Sequence, residues 1–423
     1  MRFQLFAIAM LAFISPCFAG TKVTINEDKV LLINGKKVFP VGFTMAPPPG
    51  SKAPNGRDGL KELHDAGGSF LRTGPNAPLR WNDKYIETEQ RWMDSAADAG
   101  MYCLPWLKEL SSIDRDEAKA EAMLKRVVER FRDHPAMGCW KGADEPEWGF
   151  EYVEPMVHSR ELVKKLDPDH PMWIVQAPMG TVDSMRAYND TMDITGQDVY
   201  PISYPPGVHS KLPNRELSLI GEHTRLMQDV VREEKPIWMT LQIAWSGVVK
   251  EGRQLRMPTF AQERFMAYEA IINGARGLIY FGGNLPPAMS EEDKKLGWNW
   301  TWFNQNLRPL LAEIGHDGPL TPALVARESE IPIRCQREGV RYGGEKDIEY
   351  CVREVDDDIY LFACNRGRET VQVNFRNIPP VDASVDVMFE AARKVIVEDR
   401  SIKEFFGPFD VHVYRMHRKP IQD

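Results

Sequence analysis

The chain has 423 residues, of which 43% are hydrophobic and 27% are charged. This composition supports a large packed core and excludes wholesale disorder. Lysine and arginine total 53 against 61 aspartates and glutamates, which gives a formal net charge of −8. Because no basic block appears in this acidic chain, nucleic acid is not expected as the main partner. The length suits a (β/α)₈ barrel followed by a smaller domain.

Residues 1–19 have the pattern of a secretory signal peptide. Arg2 gives a short positive region, and the apolar run 5–14 is too short to span a bilayer as a helix. Residues 17–19 resemble a cleavage site that would release a chain beginning at Gly20. We expect a secreted or periplasmic protein without a membrane span; a buried amino-terminal strand or helix is the alternative interpretation.

Cysteine and histidine positions argue against a metal centre. The five cysteines after the signal peptide, at positions 103, 139, 335, 351 and 364, match no zinc-binding spacing. The three in the carboxy-terminal part allow one disulfide in an oxidising compartment. The nine histidines show no HExxH pair, so we expect no catalytic metal and no cofactor.

Short apolar runs alternate with amphipathic stretches after a predicted β-hairpin at residues 22–35. The runs predict eight strands: Val38–Phe43, Ser69–Arg72, Met101–Trp106, Met137–Ala143, Met172–Gln176, Asp193–Tyr200, Ile237–Gln242 and Gly277–Phe281. Strand and helix alternation indicates a parallel sheet, and eight repeats favour a closed barrel. We therefore predict an α/β fold, with a (β/α)₈ TIM barrel over residues 20–318.

Two helices of this barrel have clear sequence signals. Apolar residues at helical spacing between Ala120 and Phe131 predict one buried helical face, with Asp114 and Glu117 as its start. Thr259 with Gln262 predicts a capping box at the start of the helix before the eighth strand. Gly274 is expected to end that helix.

The pattern changes after a turn-rich linker, GHDGPLTP, at residues 315–322. Short β-type runs separated by glycine, aspartate and asparagine turns predict a small antiparallel β-sandwich over residues 325–423. The runs are Val352, Ile359–Ala363, Val371–Phe375, Val385–Met388, Val395–Val397 and Val411–Tyr414. We expect this domain to pack against the barrel, with sugar binding as the alternative role.

Polar residues that close the apolar runs are the candidate site residues, because barrel active sites lie at the carboxyl ends of the strands. They are Arg72, Glu109, Asp144, Glu145, Gln176, Asp198, Tyr200 and Gln242. Trp106, Trp245 and, after the eighth strand, Trp298 are expected to join them, because aromatic faces stack on sugar rings. Trp140 and Trp302 are expected to pack in the core.

Asp144 and Glu145 are neighbours, so a regular strand would point them to opposite faces. Both can face the barrel mouth only if the strand kinks or bulges at this point. Pro146 follows at once and ends the ladder, which is compatible with such a break.

HPAMGCWKGADEP at 134–146 resembles the fourth-strand motif of clan A glycoside hydrolases, barrel enzymes in which this strand ends in Asn-Glu-Pro or Asp-Glu-Pro. Similar but less specific matches are INGKKVFPVGF (33–43), FLRTGP (70–75), DITGQDVYPI (193–202), NGARGLIYFGG (273–283) and, in the all-β module, FGPFDVHVYRM (406–416). The resemblance implies that Glu145 is the general acid/base and that Asp144 contacts a sugar hydroxyl. It also implies that Arg72 and Tyr200 support the site.

The resemblance fails at strand seven, where the family has a nucleophilic glutamate. Here PIWMTLQIAWSG (236–247) places Gln242 at that position, and an amide is a poor substitute for a carboxylate nucleophile.

Four hypotheses address the missing carboxylate. In the first, Asp198 supplies the second carboxyl across a gap that admits a water, which would favour inversion; Glu109 is the next candidate for this role. Alternatively, a substrate 2-acetamido group attacks while Asp144 orients it, or an acid such as Glu251 folds into the site. The fourth hypothesis is a glycan-binding protein without activity. We favour a glycosidase acting on a poly- or oligosaccharide, with Glu145 and Asp198 as catalytic residues.

Overall fold

The computed structural model describes residues 20–245, 247, 254–338 and 347–419. The predicted signal peptide and Glu251 lie outside the described residues. Across the described ranges, no helix combines the length and apolarity needed to cross a membrane.

The predicted amino-terminal hairpin is a three-stranded antiparallel sheet of β1 (Val23–Ile25), β2 (Leu31–Ile33) and β3 (Lys36–Val38). Asn34 and Gly35 connect β2 to β3 with φ of 49° and 80°, the paired positive values of a type I′ turn. Val38 therefore belongs to this sheet, and the sequence-based prediction that it begins the first barrel strand is wrong. Pro40 separates the two strands, because it has no N–H to donate to a ladder.

Eight parallel strand positions close into the predicted barrel. Seven are regular strands: β4 (Val41–Phe43), β5 (Phe70–Thr73), β6 (Tyr102–Pro105), β7 (Trp140–Asp144), β8 (Met172–Val175), β9 (Ile237–Gln242) and β10 (Ala275–Phe281). β10 pairs with both β4 and β9, and isolated parallel bridges join β6 to β7, so the ring is continuous on both sides. The α/β barrel expected from the strand–helix alternation is confirmed.

The sixth strand position differs from the regular strand predicted over residues 193–200. Segment 194–198 makes only isolated parallel bridges, to β8 on one side and β9 on the other. Gly196 shows how close these backbones are, because a Cβ built on it would lie 1.8 Å from the Trp238 carbonyl oxygen.

The helices cover the outside of the barrel. They are α1 (Gly59–Asp65), α2 (Asp83–Ala99), α3 (Ala118–Phe131), α4 (Val153–Leu166), α5 (Val182–Arg186), α6 (Leu219–Val230), α7 (Phe260–Ile272), α8 (Glu291–Leu296), α9 (Trp300–Trp302), α10 (Arg308–Ile314) and α11 (Thr321–Leu324). The predicted apolar face of α3 is buried, with Leu124, Val127 and Phe131 each 0% exposed.

The helix-end predictions have mixed outcomes. The capping box of Thr259 and Gln262 is present at the start of α7, and the residue after its C-cap, Gly274, has a φ of 97°. Both predictions are confirmed. Asp114 does not cap α3, because the N-cap is Glu117 and makes no capping bond. The Glu117 carboxylate instead accepts from the Asp114 N–H at 3.3 Å.

The carboxy-terminal domain is the predicted antiparallel sandwich, with sheet orders β11-β14-β17 and β12-β13-β18-β15-β16. Its strands are β11 (Arg334–Arg337), β12 (Ile348–Val355), β13 (Asp358–Asn365), β14 (Val371–Arg376), β15 (Ser384–Val387), β16 (Lys394–Ile396), β17 (Ser401–Phe406) and β18 (Val411–His417). Sequence analysis missed β11 and β17, whose polar residues interrupt any apolar run. The allowed disulfide is not formed, since Cys351 and Cys364 are free thiols.

The sandwich packs against the barrel through α7. The Arg264 guanidinium bonds the Glu313 carboxylate at 2.9 Å and the Val411 carbonyl at 2.8 Å. The rings of Tyr268 and Phe362 lie 6.2 Å apart at the same interface. This contact agrees with the packing role expected for the domain.

Gly196→Ala tests the close approach of the sixth strand position to β9. We expect the free energy of unfolding to fall by about 3 kcal/mol or more, because the added methyl meets a backbone atom that cannot move aside. Gly149→Ala is the control, since its Cβ would meet no atom closer than 3.4 Å. Urea denaturation of both variants measures the difference, and equal stabilities would contradict this account.

Candidate active site

The carboxyl ends of the barrel strands surround a pocket of about 400 Å³, a volume suited to a small ligand or part of a larger one. Seven of the predicted site residues line it: Arg72, Trp106, Asp144, Glu145, Asp198, Tyr200 and Trp245. These side chains come from five strand ends, which explains why residues distant in sequence meet here.

The end of β7 brings both neighbouring acids into this pocket. The pairing of β7 with β8 shifts register between Lys141 and Asp144, and Glu145 adopts a left-handed conformation with φ of 49°. The Glu145 N–H still donates to the Val175 carbonyl at 2.8 Å. A bulge followed by a positive φ is the break in alternation that two adjacent inward-facing carboxyls require.

Lys141 is the buried cation beneath these acids. Its ammonium lies 3.0 Å from Asp144 Oδ1 and donates to the Ala143 carbonyl at 2.6 Å, while its side chain is only 3% exposed. It also lies 5.1 Å from the ring centroid of Trp173, a cation–π contact. Burial opposes ionisation of Asp144, but Lys141 and Arg72 hold the pKa of this carboxyl below its ordinary value.

Glu145 and Asp198 form a close carboxyl pair. One oxygen of each lies within 4.8 Å of the other. Burial, followed by the Glu145 and Asp144 charges, raises the pKa of Asp198 well above its ordinary value. Burial and the Asp144 carboxylate also raise the pKa of Glu145. The pair therefore holds one proton more readily than two isolated carboxyls would, because two negative charges this close repel each other.

His209 completes a group of three potential metal ligands. One atom each of Glu145, Asp198 and His209 lie within 4.8 Å of one another, and in the described part of the chain this is the one such group. Two carboxylates and an imidazole suit a divalent cation such as Zn²⁺ or Mn²⁺. Sequence spacing could not reveal this group, because its members come from two strand ends and a loop.

An aromatic wall covers one side of the pocket. The Tyr200 ring stacks on His209 at 4.7 Å and on Phe281 at 5.4 Å, and the Trp245 ring lies 4.8 Å from that of His209. Burial and the neighbouring Asp198 and Glu145 charges raise the pKa of Tyr200 well above its ordinary value. The hydroxyl therefore stays protonated at neutral pH and can donate a hydrogen bond.

Arg72 and Trp106 form the opposite side. The Arg72 guanidinium lies 5.0 Å from the Trp106 ring centroid and donates to Asn76 Oδ1 at 2.7 Å. Gly74, with φ of 86°, lets its backbone pass close to that of Trp106, because a Cβ on Gly74 would lie 2.5 Å from the Trp106 backbone nitrogen. Glu89 of α2 holds this turn, because it accepts from the Gly74 N–H at 2.8 Å and from the Thr73 hydroxyl.

Gln242 differs most from its sequence-based role. It is 0% exposed and lies outside the pocket lining, although it ends β9 where the family has its nucleophile. Its amide oxygen accepts from the Ile202 N–H and its amide nitrogen donates to the Ile202 carbonyl, both at 2.8 Å. The side chain therefore fixes the loop that follows the sixth strand position and is not available to a substrate.

Three further expected site residues also lie outside the pocket lining. Gln176 accepts from the Glu147 N–H at 3.2 Å, and Glu109 accepts from the Trp81 N–H at 2.7 Å. Trp298 is 0% exposed and donates its indole N–H to the Met45 carbonyl at 2.7 Å. Each side chain is held by backbone atoms of a neighbouring loop, which turns it away from the mouth. Trp140 and Trp302 are buried, as expected.

The pocket is also lined by four residues that the sequence patterns did not indicate: Lys141, Trp173, His209 and Thr240. Lys141 had a usable signal, because a charged residue inside an apolar barrel strand must find a partner. His209 had none, since it lies in an irregular loop between the sixth strand position and α6. The Thr240 hydroxyl and one Asp198 oxygen are buried without a hydrogen-bond partner on the pocket floor.

Comparisons with known proteins identify the architecture. No family model matches the chain, and no curated protein matches its sequence. A solved structure described as a glycoside hydrolase aligns with a TM-score of 0.58 at 16% identity, over 95% of this chain and 98% of its own. A family 5 glycoside hydrolase from Bacteroides vulgatus gives 0.60 at 16% identity, over 94% and 93%.

An α-amylase from Geobacillus thermoleovorans, solved with acarbose, aligns with a TM-score of 0.53 at 10% identity, over 91% of this chain and 100% of its own. Identities this low establish a shared fold and nothing finer. The chain has the barrel and carboxy-terminal β-domain architecture of glycoside hydrolases, as the sequence resemblance implied.

Glu89→Gln tests the carboxyl that supports the Arg72 side of the site. Burial raises the pKa of Glu89 to about 7 from an ordinary 4.5. Below pH 4.5, Glu89 is protonated in both the folded and the unfolded protein. As the pH rises from 4.5 to 7, Glu89 loses its proton only in the unfolded protein, so the free energy of unfolding falls. The shift corresponds to about 3 kcal/mol. We expect urea denaturation to show that, between pH 4.5 and 7, the free energy of unfolding of the Glu89→Gln variant falls by about 3 kcal/mol less than that of the wild type.

Glu87→Gln is the matched control, because Glu87 is an exposed carboxyl on the same helix. An unchanged pH dependence is expected for this variant. If both substitutions changed the pH dependence equally, or neither did, the role given to Glu89 would be wrong.

Proposed function

We propose that the chain is an exported glycosidase that hydrolyses O-glycosidic bonds of a poly- or oligosaccharide, with Glu145 and Asp198 as its catalytic carboxyls. The observation that carries this proposal is the approach of their oxygens to within 4.8 Å in the barrel-mouth pocket. The fold shared with glycoside hydrolases supports it. Export rests on the signal-like residues 1–19 alone.

The carboxyl separation argues for retention of anomeric configuration. Inverting enzymes hold their carboxyls about 6.5–9.5 Å apart to admit a water, whereas retaining pairs lie about 5–5.5 Å apart. The closest oxygens of Glu145 and Asp198 fall within 4.8 Å, which is nearer the retaining range than the inverting one. The sequence favoured inversion, with a gap between strands four and six; this closeness favours retention instead, and retention is the course that we propose.

Glu145 and Asp198 take different parts in this reaction. Glu145 gives the proton of the pair to the glycosidic oxygen while an oxygen of Asp198 bonds to the anomeric carbon, and the carbon–oxygen bond to the leaving group breaks. A water then attacks the anomeric carbon and gives its proton to Glu145, which releases Asp198 as a carboxylate. Burial raises the pKa of both carboxyls, so the pair retains a proton near neutral pH. When the substrate reacts, that proton must lie on Glu145 and Asp198 must be ionised.

The charged residues around the pair bind and orient the sugar. Asp144 is held by Lys141 and remains 50% exposed to the pocket, so its free oxygen can accept from a sugar hydroxyl. The same oxygen could instead orient a 2-acetamido group, which keeps the substrate-assisted mechanism as a second candidate. Trp106 and Trp245 both line the pocket and add apolar aromatic surface against which a sugar ring can pack.

A glycan-binding protein without hydrolytic activity is the competing function. The absence of a carboxyl at Gln242, the strand-seven position of the family nucleophile, favours it. Asp198 argues against it, because a buried carboxyl opposite Glu145 has no evident use in neutral sugar binding but is required for hydrolysis.

Glu145→Gln and Asp198→Asn test the catalytic pair. We expect each substitution to lower kcat by about 10²–10⁴-fold on the glycosides that the wild type hydrolyses, with glycan binding retained. A screen of polysaccharides, aryl glycosides and 2-acetamido glycosides identifies the substrate, and NMR of the first product anomer should show retention.

Glu109→Gln is the matched control, since it is the same chemical change at a strand end outside the pocket. It should leave kcat unchanged, because the amide oxygen can still accept from the Trp81 N–H. Full activity of Glu145→Gln would remove Glu145 from catalysis, and full activity of Asp198→Asn on 2-acetamido substrates would favour the substrate-assisted mechanism. Binding without turnover in the wild type would favour the non-catalytic function.

Substitutions of Asp144 and Lys141 should move the pH profile in opposite directions. The Asp144 carboxylate raises the pKa of Glu145 and the Lys141 ammonium lowers it. The alkaline limb of kcat/KM against pH should therefore move to lower pH in Asp144→Asn and to higher pH in Lys141→Met. Shifts in the same direction, or none, would show that the titrating acid is not Glu145.

A further inference from the structure

The barrel mouth concentrates the exposed apolar side chains. Among the described residues, eight large hydrophobic side chains are exposed, and five lie in loops at the carboxyl ends of barrel strands: Leu79, Trp148, Phe150, Tyr152 and Tyr204. Three of these follow Glu145 in one short loop, with Trp148 55%, Phe150 87% and Tyr152 81% exposed. Exposed aromatic groups clustered beside a pocket commonly mark a binding surface.

This loop is held in place by hydrogen bonds. The Gly149 N–H donates to the Glu145 carbonyl and the Glu151 N–H to the Pro146 carbonyl, both at 2.9 Å. The Tyr188 hydroxyl donates to the Glu151 carbonyl at 2.8 Å. A backbone fixed in this way presents its aromatic side chains without burying them, so a later partner loses little backbone freedom on binding.

The exposed rings continue the pocket surface. Trp148 lines the pocket and is also half exposed, so it faces both the enclosed sugar site and the outside. Phe150 follows two residues later, which limits the separation of their Cα atoms to about 7 Å. The Phe150 backbone is therefore within reach of a ligand that extends from the pocket past Trp148.

Acids alternate with the aromatic residues along this segment. Its sequence, EPEWGFEYVE (145–154), places Glu147, Glu151 and Glu154 among the rings. Carboxylates accept hydrogen bonds from hydroxyls and repel anions. This composition suits an uncharged chain with many hydroxyls and disfavours a polyanion.

We propose that Trp148, Phe150 and Tyr152 form an aromatic platform that binds the sugar units of a neutral glycan chain extending out of the pocket. This inference rests on the proposed function, because it takes the pocket as the site of the reacting sugar. It adds that the natural substrate is an uncharged polysaccharide or long oligosaccharide, held by rings outside the pocket and cleaved within it.

The Phe150→Ala/Tyr152→Ala double variant tests the platform, with Phe405→Ala as control. Phe405 is 59% exposed in β17 of the sandwich, away from the barrel mouth. Affinity electrophoresis uses neutral probes (starch, hydroxyethyl cellulose, xylan and galactomannan) and the polyanion alginate. We expect at least one neutral polysaccharide to retard the wild type, and the double variant to bind it roughly tenfold or more weakly.

Phe405→Ala should bind like the wild type, and alginate should retard none of the proteins. Turnover of a short aryl glycoside should be the same in the double variant and the wild type, because that substrate is too short to extend from the pocket onto the platform. Equal retardation of the wild type and the double variant, retardation by alginate alone, or no retardation by any neutral probe would overturn the platform.

The two proposals can fail separately. Retardation that depends on Phe150 and Tyr152, without hydrolysis of any probe, would support the platform and refute the glycosidase. Hydrolysis of aryl glycosides without polysaccharide retardation would support the glycosidase and refute the platform.

Discussion

The break in β7 at Asp144 and Glu145 is the constraint on which the barrel mouth depends. The register shift and the φ of 49° at Glu145 turn two consecutive carboxyls into one pocket, an arrangement that a regular strand forbids. A left-handed conformation is costly for a residue with a side chain, so other contacts must hold it. The Glu145 N–H bond to Val175, the Gly149 bond to Glu145 and the paired Lys141 ammonium supply them.

Charge balance explains how three carboxyls share so small a volume. Asp144 is paired with Lys141 and lies near the Arg72 guanidinium, so it stays ionised. Glu145 and Asp198 lie within 4.8 Å of each other, and burial raises the pKa of both carboxyls. The environment thus separates carboxyls of similar intrinsic acidity into an ionised Asp144 and a pair that retains a proton more readily. The ionised Asp144 also affects the pair, because its charge raises the pKa of Glu145.

Sequence predicted the parts of the structure that repeat or that carry a local signal. The apolar runs gave the barrel strands because their burial is continuous, and Thr259 with Gln262 gave a helix start because capping is local. The site was predictable only as far as strand ends identify it. Gln176 and Gln242 end strands but face loop backbone atoms, and His209 reaches the pocket from a loop. The directions of these side chains depend on tertiary contacts, which a repeating pattern of apolar and polar residues does not indicate.

The position of the second carboxyl and the amide at Gln242 are physically connected. The sixth strand position lies two places from β7 around the ring, and Asp198 at its end comes within 4.8 Å of Glu145. Burial is the first cause of the raised pKa of each acid; the Glu145 charge adds to it at Asp198, and the Asp144 charge adds to it at both. The loop after Asp198 must then be fixed, and Gln242 does this by bonding both the N–H and the carbonyl of Ile202. An ionised glutamate could accept the first bond but could not donate the second. The Gln242 amide therefore stabilises the segment that presents Asp198.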